Sequence, residues 1–113
     1  MTTSTTWAKV THRFSGVHSW PEAAGPHAYL VHPHRHEFHV TVWVEQFHDD
    51  RDVEYLLFKD WLREMCTGGD MQGRSCEMMA RSLRVSTKAR WGDHRRVRVE
   101  VTEDGENGAL IEE

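Results

Sequence analysis

The sequence predicts an α+β domain in which four amphipathic strands form one antiparallel sheet and two helices cover one of its faces, in the order ββααββ. Three observations carry that prediction. Residues 7–20, 34–47 and 97–101 alternate apolar and polar side chains, the period of a half-buried strand. Residues 53–65 and 75–83 instead repeat their apolar positions at helical spacing. Clusters of Pro, Gly and Asp separate the segments.

In the first strand Ala8, Val10, His12, Phe14, Gly16, His18 and Trp20 share a mostly apolar face, and Lys9, Thr11, Arg13 and Ser15 share the other. A loop with Pro21, Gly25, Pro26 and Pro33 follows, because these residues stop ladders and set turns. The second strand puts His34, His36, Phe38, Val40, Val42 and Val44 on one side and Arg35, Glu37, His39, Thr41, Trp43 and Glu45 on the other. Past the polar turn at residues 48–52, Val53, Leu56, Leu57, Trp61 and Met65 predict the buried stripe of a first helix, ended by Gly68 and Gly69. Ser75 predicts the N-cap of a second helix, with Glu77 in its first turn favoured by the macrodipole and a stripe of Cys76, Met79, Ala80 and Leu83. Val97, Val99 and Val101 form a third strand, and a turn between Gly105 and Gly108 leads into a short fourth.

A chain of 113 residues fits one domain, read here as 1–113 with residues 1–6 as a flexible N-terminal tail. Its 38% hydrophobic and 28% charged residues fit a soluble globular protein with a modest core, which oligomerisation would help. A net charge of −4 argues against a nucleic-acid binder. The chain has no long apolar run for a membrane span and no signal-like N-terminus, which reads as cytoplasmic. The two cysteines, Cys66 and Cys76, form neither a disulfide framework nor a zinc pattern.

Histidine is the compositional oddity, with nine in all and five of them between His27 and His39. His34 and His36 lie two apart, so on a strand their imidazoles project to one side about 7 Å apart. Both begin an apolar strand face, and His18 ends another. An unpartnered imidazole there would carry a desolvation cost. Three such histidines suit a zinc site with an open fourth position. The bland alternative is three packing or loop histidines. The cupin pattern also contains H-x-H but wants Glu four or five residues further on, where this chain has Val40 and Thr41. His12 and His39 read as non-ligands, as do His27 and His32, which remain candidate proton carriers.

Several segments in order resemble the 6-pyruvoyltetrahydropterin synthase / 6-carboxytetrahydropterin synthase family. Phe14-Ser15-Gly16-Val17-His18 is similar to its F-x-x-x-H, and His34-Arg35-His36 to its H-G-H. Residues 53–59 resemble its first-helix start, residues 75–80 its T-x-E-x-x-A, and residues 99–103 its V-x-V-x-E strand. The resemblance implies the tunnelling fold and a homo-oligomer, commonly a hexamer. It also implies Zn²⁺ on His18, His34 and His36 polarising a substrate oxygen, and Glu103 gripping the guanidine-like edge of a pterin. The implied activity is that of a lyase on a dihydroneopterin triphosphate-type or related pterin or purine-like substrate. The alternative is a silent zinc- and pterin-binding sensor or regulatory partner.

Glu103 also continues the apolar face of Val97, Val99 and Val101, which predicts a partly buried carboxylate that wants a partner. Its plain alternative is a solvated strand-end acid. Ser75 and Glu77 either line the pterin pocket or serve only as cap and first-turn acid. Where the family has its catalytic Cys this chain has Leu30, and the family's Asp-His pair is missing from the connection between the helices. A base would have to come from elsewhere, with Glu22, His27, His32 and Cys76 as candidates. The dipole of the second helix would favour a Cys76 thiolate, whereas its place in the apolar stripe favours packing.

Overall fold

The computed structural model describes residues 4–113. β1 (Thr6–His18) and β2 (His34–Gln46) form a long antiparallel ladder, in register from Thr6 opposite Gln46 to His18 opposite His34. Between them the chain forms a 3-10 segment, Gly25–Val31. After β2 come the helix α1 (Tyr55–Met65), a two-residue strand β3 (Gly69–Asp70) and the helix α2 (Cys76–Trp91). β2 also pairs antiparallel with β4 (Val97–Glu103), and β4 with β5 (Asn107–Glu112).

The four-stranded antiparallel ββααββ tunnelling fold expected from the sequence is corrected here to a five-stranded mixed sheet, ordered β3-β1-β2-β4-β5. The added strand, β3, runs parallel to β1 with Gly69 beside Gly16 and Asp70 beside Val17. Its cause lies in the two glycines read as a helix stop. Gly68 and Gly69 both adopt positive φ, 83° and 97°, which lets the chain leave α1 and run against β1. Any Cβ on Gly68 would collide with the Ser15 carbonyl oxygen. The 3-10 segment makes a third helix where the sequence predicted only loop. Of the expected N-terminal tail, residues 1–3 lie outside the described residues, and Thr6 already belongs to β1.

The alternation places Ala8 and Val10, then Phe38, Val40, Val42 and Val44, then Val97, Val99 and Val101 on one sheet face. That face is covered by Phe58 and Leu62 of α1 and by Met79, Ala80 and Leu83 of α2 in a single core. α2 carries the predicted stripe and the predicted cap, with Ser75 Oγ accepting from the Met78 N–H. α1 is rotated relative to its prediction. Phe58 and Leu62 are buried, while Leu56 and Leu57 are exposed. No helix among the described residues is long and apolar enough to cross a membrane.

At the end of β2 away from the histidines, the Arg95 guanidinium donates two hydrogen bonds to the Asp52 carboxylate, 2.8 and 3.0 Å, and one to the Glu45 carbonyl oxygen. The Phe47 N–H adds another to Asp52. The Arg95 bonds first, and then the Phe47 N–H, hold the Asp52 carboxyl well below its ordinary range. A carboxyl depressed by folding contributes stability above its unfolded pKa of about 3.9, and that contribution drains away as pH falls below it. Asp52→Asn is therefore expected to lower stability at pH 7 by about 2–3 kcal/mol, the scale of hydrogen bonds to charged groups. Denaturation curves from pH 7 to pH 3 should show the gap between variant and wild type narrowing toward acid, and a constant gap would exclude this origin.

Candidate metal centre

The β1–β2 register fixes the site. His18, the last residue of β1, faces His34, the first of β2. His36 follows two residues on, on the same face, opposite Gly16. A side chain on Gly16 would press on the Phe38 ring, whose Cε2 lies 3.0 Å from where a Cβ would stand. Phe38 in turn pairs with Glu103 at the end of β4. Three strand ends thus deliver His18, His34, His36 and Glu103 to one corner of the sheet.

One ring nitrogen from each of His18, His34 and His36 lies within 4.8 Å of the others, a cluster that can hold a metal ion. The hydrogen bonds decide which nitrogen each ring has free. Nδ1 of His18 donates to the Arg74 carbonyl oxygen at 2.9 Å, and Nδ1 of His34 to the His32 carbonyl oxygen at 2.9 Å. Nδ1 of His36 donates to Asp104 Oδ2 at 2.7 Å. Carbonyl and carboxylate oxygens only accept, so each Nδ1 carries the proton and each neutral ring keeps a lone pair on Nε2. A histidine held at one nitrogen by a carbonyl or carboxylate, with the other free to ligate, is the usual outer-shell arrangement of metal-binding imidazole.

His18 is 7% exposed, and its Nε2 is buried with no hydrogen-bond partner. Glu103 Oε2 stands 3.0 Å from that nitrogen, outside hydrogen-bond geometry, and 3.7 Å from His36 Nε2. The Glu103 side chain is 24% exposed, as its predicted partial burial required. Its other oxygen accepts from Asn107 Nδ2 at 3.0 Å. An orphaned buried lone pair facing a carboxylate is repulsive unless positive charge lies between them. The donor set therefore fits a cation.

Asp104 is the residue that sequence reading missed. With Gly105 it forms the β4–β5 turn, both at positive φ, the backbone that Asp-Gly turns adopt. Its Oδ1 accepts from the Glu37 N–H at 2.9 Å while Oδ2 holds His36. The Glu37 N–H and then His36 hold its carboxyl below the ordinary range. The only sequence signal was an Asp directly after Glu103, and turn chemistry already accounts for an Asp there. Asp104→Asn is expected to weaken metal binding about 10- to 100-fold, the usual cost of an outer-shell change. Chelator competition measures this, and unchanged affinity would show that Asp104 does not orient His36.

An open cavity of about 880 Å³ lies over the three histidines, within the size range of small-molecule sites. Of the other residues singled out from sequence, Glu103, Ser75, Glu77, His27 and Cys76 line it. Ser75 and Glu77 thus occupy the wall of this cavity as well as the α2 start. Glu22 and His32 are exposed and do not line it, and His32 contributes its backbone carbonyl to His34. Burial first, then the charges of Glu103 and Glu77, pushes the Cys76 thiol up to about 11, so it keeps its proton at neutral pH. Cys66, half-buried at the C-terminus of α1, is likewise pushed up to about 11 by desolvation. His12 binds the Cys66 carbonyl oxygen and His39 approaches Glu37, so neither joins the cluster.

No protein-family model matches the sequence, and no curated protein matches it.

Proposed function

We propose that this chain is a zinc-dependent, tetrahydropterin-synthase-like lyase acting on a dihydroneopterin triphosphate-type or related pterin or purine-like substrate. The observation that carries the reading is the set of three Nδ1–H···O bonds, which leaves three Nε2 lone pairs beside one cavity. Imidazole nitrogens in a set of three suit zinc. Bound there, zinc would supply Lewis-acid polarisation of a substrate oxygen. His18, His34 and His36 would hold it, and the aromatic wall of Trp20 and Tyr29 offers stacking surface to a flat heterocycle. The family resemblance enters through these site residues alone, since the fold it implied is not the one formed.

A homo-oligomer belongs to the same proposal. Its support is that β1, among the described residues, is paired on its outer side only at Gly16 and Val17, and that β5 forms the other sheet edge.

The state of the base candidates favours a second reading, a zinc- and pterin-binding module without turnover. Leu30 stands where the family has its Cys, Cys76 holds its proton, and Glu22 and His32 stay outside the cavity, which leaves His27 as the one candidate base in the cavity wall. Incubation with dihydroneopterin triphosphate, followed by chromatography for released triphosphate and side-chain products, separates the two. Product formation that requires zinc supports the lyase. Tight pterin binding with no product at high protein concentration supports the module, and zinc-free purified protein that takes up none overturns both.

A further inference from the structure

We propose that Glu103 is itself the fourth metal ligand of the resting protein, so that the centre is a closed site of three histidines and one glutamate. This rests on the metal reading above and replaces the open fourth position that three histidines alone suggest.

Metal–nitrogen and metal–oxygen bonds of about 2.0–2.1 Å in a tetrahedron put neighbouring donor atoms roughly 3.3 Å apart. Glu103 Oε2 stands 3.0 Å from His18 Nε2 and 3.7 Å from His36 Nε2, on either side of that spacing, and makes no such contact with His34, so closing the site requires the carboxylate to move toward that third ring. Nδ1 of both rings is held by an oxygen acceptor on the far side, so Nε2 is the atom that each ring turns toward Glu103. Two ring nitrogens and a carboxylate oxygen at these separations have the spacing of donors around one cation. The remaining oxygen, Oε1, is held by Asn107 across the β4–β5 pair. That bond fixes the carboxylate with one oxygen toward the histidines, as outer-shell partners do for ligating carboxylates.

Two consequences follow for the chemistry. Zinc carrying three neutral imidazoles keeps its full double positive charge, whereas a carboxylate ligand halves the net charge and softens the Lewis acid. An incoming ligand has to take the place of Glu103 or add as a fifth donor.

Glu103→Gln tests the assignment with almost no change of shape. Its metal affinity, by chelator competition, is expected to fall at least about 100-fold, the upper end of what outer-shell changes cost. The d–d bands of the cobalt-loaded protein should shift and weaken relative to wild type. Asn107→Ala, which removes only the orienting bond, should lower affinity about 10-fold. Unchanged affinity and an unchanged cobalt spectrum in Glu103→Gln would overturn the proposal and leave Glu103 as a ligand-anchoring acid. If Glu103→Gln does not fold, as judged by metal-free denaturation, wild-type affinity in Asn107→Ala overturns it instead. Retention of metal by His34→Ala would be a different failure, that of the metal centre itself.

Discussion

His34→Ala is expected to abolish stoichiometric metal binding, with affinity falling well beyond the roughly 100-fold seen for outer-shell losses. His34 supplies one corner of a three-nitrogen cluster and sits opposite His18 in the ladder. Its removal leaves His18 and His36 with the Glu103 carboxylate beside them, a weaker chelate. A metal that binds the folded chain and not the unfolded one stabilises it by mass action, so zinc at about 1,000 times its Kd should stabilise wild type by about 4 kcal/mol. Thermal melts with and without zinc should therefore differ for wild type and coincide for His34→Ala. His32→Ala is the informative control. Its backbone carbonyl, not its side chain, holds His34, so the variant should bind metal as wild type does. Equal metal content in His34→Ala and wild type would end the metal reading.

Phe38→Ala is expected to cause the largest loss of stability, about 3–5 kcal/mol, typical of Phe truncation in a packed core. Phe38 is fully buried, stacks on Phe14 at 5.5 Å and meets the His18 ring edge-on at 5.2 Å. It joins the valine layer of the β2 core face to the His18 and His36 rings. A melting point lower by roughly 15 °C or more in the metal-free protein would follow from that loss. Metal affinity should fall too, because His18 and His36 lose the wall that sets their rings. A metal-free stability within about 1 kcal/mol of wild type would refute the central packing role given to this ring.

The sheet's buried face was legible because alternation leaves little choice. Val40, Val42, Val44, Val97, Val99 and Val101 can share only one side of their strands, and all are buried. The same period put His34 and His36 together and aligned Glu103 with the core. α1 was harder, since Tyr55, Leu56, Leu57 and Phe58 are consecutive apolar residues and fit more than one helical stripe. Tertiary packing chose Phe58 and left Leu56 and Leu57 exposed. β3 has only Gly69 and Asp70, neither of which carries a strand signal, so the parallel pairing that changes the sheet was invisible to propensity. The site's hydrogen bonds were illegible for another reason. The carbonyls of Arg74 and His32 belong to the backbone, and no residue type announces which carbonyl will meet an imidazole.

The convergence of strand ends at the histidines also bears on how the chain is tethered. His36 and Asp104 are 68 positions apart in sequence, and both cysteines are free thiols, so no covalent crosslink ties these ends together. An ion shared by β1, β2 and the end of β4 would act as a removable rivet, limiting the freedom of the unfolded chain as a disulfide does while responding to ion supply instead of redox state. Backbone amides at that corner of the sheet would exchange with solvent slowly when the ion is bound and fray first when a chelator removes it.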